Sequence, residues 1–289
     1  MFHVKRLDHV RVIDWAPRNA IPPRVNPLSK TIAITNQKGG VGKTTTAINL
    51  AAALAVSEVK VLLIDSDPQG NSTSGLGIQK EPGMKTTWDI LVGNGAIHDS
   101  IRHTDIEGLD IVPADKNLIG VNFELANVDD RESILANHIK TLKGEYQYIL
   151  IDCPPALDLL TLNALMAADS ALVPIQCEFF ALEGVSELMD TIERVRESFG
   201  HPVAIEGILL TMYDERTNLT RQVAADLREF FGDEVLKTVI PRNVRLAEAP
   251  SHGKSILSYD PGSRGAESYI QLAKEILSNE QKRSAQSAR

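Results

Sequence analysis

Two hydrophobic rhythms alternate along this chain. Short, nearly continuous runs rich in β-branched residues occur at "TIAIT" (31–35), "KVLLID" (60–65), "YILIDCPP" (148–155), "SALVPIQ" (170–176) and "AIEGILLTM" (204–212). Runs of this length and composition predict strands buried on both faces. Between them, apolar positions recur three and four apart, which predicts helices over 44–55, 158–168, 181–199, 217–231 and 263–280. Strand and helix in alternation point to an α/β fold: a mostly parallel, twisted sheet with helices on both faces. No repeat and no second boundary interrupts 30–280, so that span is expected to be one domain. Before it, "APRNAIPPRVNPLS" carries four prolines and no periodicity, so 1–29 is expected to be an extended or disordered extension. The last residues, 281–289, are expected to be a disordered tail.

In such sheets ligands gather at the carboxyl ends of the strands. The first strand runs into "NQKGGVGKTT" (36–45), close to the phosphate-loop pattern G-x-x-x-x-G-K-[ST]. Gly39, Gly40 and Gly42 let backbone N–H groups approach phosphate oxygens, around Val41. Lys43 can reach the β- and γ-phosphates, and the hydroxyl of Thr44, followed by Thr45, can ligate Mg²⁺. The loop departs from the pattern at one point: Gln37 stands where the first glycine belongs, and a second lysine, Lys38, follows it. Asp152 closes "YILID" as a Walker B carboxylate would, holding the water shell of a hard cation. In "DSDPQGN" (65–71), Asp65 is placed to support the metal shell and Asp67 to orient attacking water. An ordinary turn built by Asp-Pro and Gly-Asn is the competing reading of that stretch.

Composition narrows the field. The longest purely apolar run, Leu50 to Val56, is far too short to span a bilayer. The charged N-terminal stretch breaks any signal-peptide core, so a cytoplasmic protein is expected. Cys153 and Cys177 have no metal or disulfide spacing, and the histidines share no pattern. A net charge of −8 argues against a chain coated in nucleic acid but not against a local basic face. One candidate is 237–254, with Lys237, Arg242, Arg245 and Lys254 against Glu248; a solvated charged face is the bland alternative. The basic extension 1–29 is either a tail or a DNA-assisting arm.

Read together, these elements resemble the ParA/MinD group of deviant Walker A ATPases, whose loop reads K-G-G-x-G-K-[ST]. The stretches "LLIDSDPQGNSTSGLG", "VPIQCEFFALEG", "GILLTMYDERTNLT" and "VIPRNVRLAEAPSHGKSILSYDPGSRGAESY" narrow the likeness to Soj-type ParA partition proteins, over roughly 31–275. The resemblance implies that Lys38 reaches the partner's ATP in a nucleotide-sandwich homodimer. Lys38, Lys43 and Asp67 are then the catalytic set. It places Met212, Pro241 and Asn243 near the adenine. It also makes Arg216 and Arg245 the contacts to non-specific double-stranded DNA, with ATP and Mg²⁺ as cofactors. Implied further are a ParB-type centromere-binding partner that stimulates weak hydrolysis, and a nucleoid-associated location. An alternative is a relative that positions another cargo, such as a chemotaxis cluster or an organelle. The tail "SNEQKRSAQSAR" lacks the large apolar residues of a MinD-like membrane helix, so no membrane partner is expected. The two cysteines do not match the paired cluster ligands of nitrogenase iron protein.

Overall fold

A computed structural model of the chain describes residues 3–7, 10–14, 29–142 and 144–287. A ribbon comes first, β1 (His3–Leu7) paired antiparallel with β2 (Val10–Asp14). Residues 1–2, 8–9 and 15–28, most of the expected extension, lie outside the described residues. The main sheet is built from β3 (Lys30–Ile34), β4 (Val61–Asp65), β5 (Arg102–His103), β6 (Leu109–Val112), β7 (Tyr148–Asp152), β8 (Ser170–Gln176), β9 (Ala204–Tyr213) and β10 (Val235–Pro241). Its order is β10-β9-β8-β3-β7-β4-β6-β5, and every pair is parallel except β5 with β6. The expected α/β class is therefore the observed one.

Side chains alternate across the sheet, and each face carries its own apolar layer. Leu62, Ile64, Ile149 and Ile151 pack on one side with helices Leu159–Ala167 and Ala181–Phe199. Val61, Leu63, Ile32 and Ile34 pack on the other with helices Lys43–Ala55 and Arg264–Ser287. Both faces being covered explains why the strands read as unbroken apolar runs. β3 lies centrally between β7 and β8, so its loop opens at the middle of the sheet's carboxyl edge.

The strand within 148–155 ends at Asp152, where the sequence placed its end, ahead of Pro154 and Pro155, which have no N–H for the ladder. Some elements differ from the sequence expectation. β1, β2, β5, β6 and β10 were not predicted; the first two fall within the expected extension, and the other three are short or mixed in polarity and lie toward the main sheet's margins. The last helix continues past 280 to Ser287 instead of giving way to a tail. Its added turn is tied to the sheet: Glu206 is buried and takes Ser170 (2.8 Å), Lys30 (2.8 Å) and Arg283 (2.9 Å), while Lys30 also pairs with Glu280.

Candidate functional site

The loop after β3 is fixed by side chains on both flanks. Asn36 is buried; its amide donates to the Pro174 carbonyl (2.9 Å) and its oxygen accepts from the Lys38 N–H (2.9 Å). Gln37 donates to the Thr191 hydroxyl on the neighbouring helix (3.2 Å), so the position that lacks a glycine serves as an anchor. On the far side Thr211 donates to the Val41 carbonyl (2.8 Å). Gly40 and Gly42 adopt φ of +76° and +89°, which side chains resist. A Cβ at Gly39 or Gly40 would meet no atom within 4 Å, so the bend faces open space suited to an anion.

The two lysines diverge. Lys43 is buried at the start of its helix and its amine donates to the Lys38 carbonyl (3.0 Å). Burial lowers its pKa, against the charges of Asp152, Cys153 and Asp67, which raise it. The Lys38 amine instead lies half-exposed and pairs with Glu178 at 2.7 Å. Thr45 sits inside the helix, its carbonyl bonded to the Asn49 amide (2.7 Å).

Facing the loop, Asp65 and Asp152 stand opposite each other across β4 and β7, both fully buried. Their pKa values are raised, first by burial; the Ser72 hydrogen bond and the nearby Thr44 hydroxyl oppose this at Asp152, and Thr73 opposes it at Asp65. The two carboxylates are used differently. Asp65 accepts from the Thr73 N–H (2.8 Å) and hydroxyl (2.7 Å) and from the Asp67 N–H (3.2 Å), which makes it a clamp on the loop that carries Asp67. Asp152 accepts from Ser72 (2.8 Å) through one oxygen, while its Oδ1 is buried without a partner. An orphaned carboxylate oxygen beside the Thr44 hydroxyl fits a hydrated Mg²⁺, which takes one or two protein oxygens and keeps several waters. Among the described residues no trio of His, Cys, Asp or Glu forms a ready-made metal cage. Asp67 is nearly buried at the loop's start and accepts from the Gln69 N–H (2.9 Å). Burial pushes the Cys153 thiol up, and that of Cys177 up to about 11, as expected of inert structural cysteines.

Met212, Pro241 and Asn243 come together at the ends of β9 and β10. Met212 has φ of +48°, Pro241 pairs with Tyr213, and the Arg242 N–H donates to the Tyr213 carbonyl (3.2 Å). Asn243 caps the helix Val244–Glu248 by accepting from the Arg245 N–H (2.8 Å). Lys237, Arg242, Lys254, Arg216 and Arg245 are all exposed. Arg216 forms a fork with Asp214 (2.8 and 2.7 Å), which holds that carboxyl down to about 2. Arg245 pairs with Glu248 (2.9 Å) and lies 3.7 Å from Asp260. A groove of about 550 Å³ lies elsewhere, between the helices Leu159–Ala167 and Ala181–Phe199.

Sequence reasoning did not single out Asn36, Ser72, Thr73 or Glu178. Ser72 and Thr73 directly follow the Asp67 turn, and that adjacency was the available signal. Glu178 is remote in sequence from Lys38, and only the fold joins them.

A glycine loop with one lysine turned in and one turned out, set between a central strand and its helix, marks a P-loop nucleotide-binding fold of the deviant Walker A class. A family model described as an AAA domain matches residues 29–205. The chain is 54% identical over 252 residues to the sporulation initiation inhibitor protein Soj of Bacillus subtilis, covering 87% of this chain and 100% of Soj. It is 52% identical over 265 residues to the chromosome partitioning protein ParA of Caulobacter vibrioides, covering 91% and 99%. Among solved structures, cobyrinic acid a,c-diamide synthase from Mycobacterium smegmatis with a bound ATP analog and magnesium superposes with a TM-score of 0.76 at 34% identity, covering 91% and 98%. This chain belongs to the Soj/ParA family of chromosome-partitioning ATPases, within the ParA/MinD group.

Proposed function

We propose that the protein is an ATPase that partitions chromosome or plasmid origins. It binds ATP with Mg²⁺, closes as a sandwich homodimer, holds non-specific double-stranded DNA, and lets go when hydrolysis separates the subunits. The observation that carries this reading is the divergence of the two lysines. Lys43 points into its own loop, whereas Lys38 turns away from it to the outer rim, half-exposed beside Glu178, where a second molecule could reach it. A lysine delivered on assembly adds positive charge where charge develops during phosphoryl transfer, much as an arginine finger does.

The other roles follow from the chain's own groups. The backbone around Gly39–Thr44 binds phosphate oxygens, and Asp67 orients water for attack. Asp152 and Thr44 hold Mg²⁺, which when bound offsets phosphate charge, and Asp65 keeps the Asp67 loop in place. Met212, Pro241 and Asn243 cover the base. Arg216 and Arg245, with Lys237, Arg242 and Lys254, contact DNA phosphates. A ParB-type centromere-binding protein is the natural stimulator of turnover, and DNA binding would place the ATPase on the nucleoid. Among the described residues no helix is long and apolar enough to cross a membrane.

The test compares Lys38→Ala with Lys43→Ala. The first should retain ATP binding and lose at least 90% of hydrolysis; the second should lose binding itself. Wild-type turnover by the purified Lys38 variant refutes the in-trans role.

A further inference from the structure

We propose that Glu178 is a positioning residue for Lys38. It holds the amine at the rim of its own subunit until a second copy arrives, so that it sets the protein concentration at which the ATP-bound dimer forms. The inference rests on the dimeric reading above.

Lys38 Nζ lies 2.7 Å from Glu178 Oε2, and the two side chains are 46% and 45% exposed. The pair links two different strand ends: Lys38 follows β3 and Glu178 follows β8. Both backbones are held there. The Lys38 N–H is bonded to Asn36, and the Glu178 N–H donates to the Gln176 carbonyl (2.8 Å). The carboxylate thus stands on a fixed support and draws a flexible four-carbon chain sideways along the surface. A lysine amine needs such a tether, because it is a point charge on many rotors. Lys43 fills the inward position, so the carbonyl of Lys38 is engaged from inside while its amine is held outside.

Beyond Glu178 the surface is apolar. Phe179 and Phe180 are 76% and 63% exposed, with their rings edge to face at 5.1 Å. A second copy docking on this rim would bury the ring pair and desolvate the ion pair together. Exposed ion pairs contribute little in water, so this one restrains Lys38 without trapping it. As the partner's phosphates approach, their greater charge outcompetes a single carboxylate. Each dimer must break two such pairs, one per subunit, and that cost opposes assembly. Removing the carboxylate therefore favours the dimer.

The experiment uses the full chain and Glu178→Gln, which keeps shape and removes charge. In the nucleotide-free monomer, acetylation of Lys38 by a small acylating reagent, read by mass spectrometry, should speed up about threefold, because the neutral amine is the attacking species and a side chain released from its carboxylate tether presents it more freely to the reagent. With a non-hydrolysable ATP analogue, the midpoint concentration for dimerisation, read by light scattering, should fall by roughly three- to tenfold. Glu178→Asp should lie between the two proteins. A variant that merely loosened the loop would shift the midpoint upward. An unchanged acylation rate shows that the pair does not hold Lys38 and overturns the proposal. A shifted rate with an unchanged or higher midpoint also overturns it, while leaving the dimeric reading intact. A wild-type chain that never dimerises with the analogue defeats that reading itself, and the role of Glu178 with it.

Discussion

At the scale of single residues, the site sets stability against function. Asp152 is fully buried and one of its oxygens has no partner, a costly arrangement in a protein interior. Its pKa is raised, so between the unfolded value, about 3.9, and that raised value the folded chain holds more protons than the unfolded one. Stability from this group is therefore lost as pH rises through that window. Asp152→Asn removes the loss. Lys43 keeps the Lys38 carbonyl and the charge of Asp67 as partners. Without nucleotide, the variant should match wild type near pH 4 and melt about 3 °C higher at pH 8, near 1 kcal/mol for a domain of this size. It should also lose nearly all Mg²⁺-dependent hydrolysis. A variant that melts lower than wild type at pH 8 would show that Asp152 is stabilised by its surroundings and not strained by them.

At the scale of elements, two loops remote in sequence meet backbone to backbone. Gly77 and Gly253 both have left-handed φ, +77° and +64°. A Cβ on Gly253 would lie 2.8 Å from the Gly77 Cα. The contact docks the segment that carries Lys254 against the end of helix Asn71–Gly75, whose Ser72 and Thr73 bind Asp152 and Asp65. No flexible side chain stands in the way to yield, so the backbone itself must move. Gly253→Ala should destabilise by about 2 kcal/mol through overpacking and positive-φ strain. Thermal melting should fall by roughly 5 °C. A melting point within a degree of wild type would mean that the two loops separate at little cost.

At the scale of the whole molecule, an acidic chain must hold a polyanion. With a net charge of −8, a single subunit gains little from DNA unless its arginines act locally. Those arginines are exposed yet partly neutralised, Arg216 by Asp214 and Arg245 by Glu248. Two subunits on one rigid body double the basic surface and act as a bivalent pair. Retention on random duplex DNA should therefore require ATP and fall steeply with salt, each lost phosphate contact lowering the log–log slope by about one unit. Arg245→Glu should abolish retention while ATP-dependent dimerisation persists; a pull-down at two salt concentrations, with light scattering in parallel, checks both. Normal binding by that variant would assign the DNA surface elsewhere.

Local chemistry let the sequence by itself determine the central strands, the principal helices and the phosphate loop. A strand buried on both faces must be apolar throughout, and a phosphate loop must have glycine where φ is positive. The position of Asp152 was legible because it ends such a strand. Tertiary structure decided what depends on partners far apart in the chain. Gln37 could not be understood from the loop alone, since its reason is Thr191 on another helix. Asp65 and Asp152 look alike in sequence, and they part only because Thr73 occupies one while an oxygen of the other stays bare. The marginal strands β5, β6 and β10 carry weak local patterns and exist because a neighbour offers a ladder. The end of the last helix is polar enough to pass for a tail, and Arg283 within it is held by a buried glutamate that no local rhythm announces.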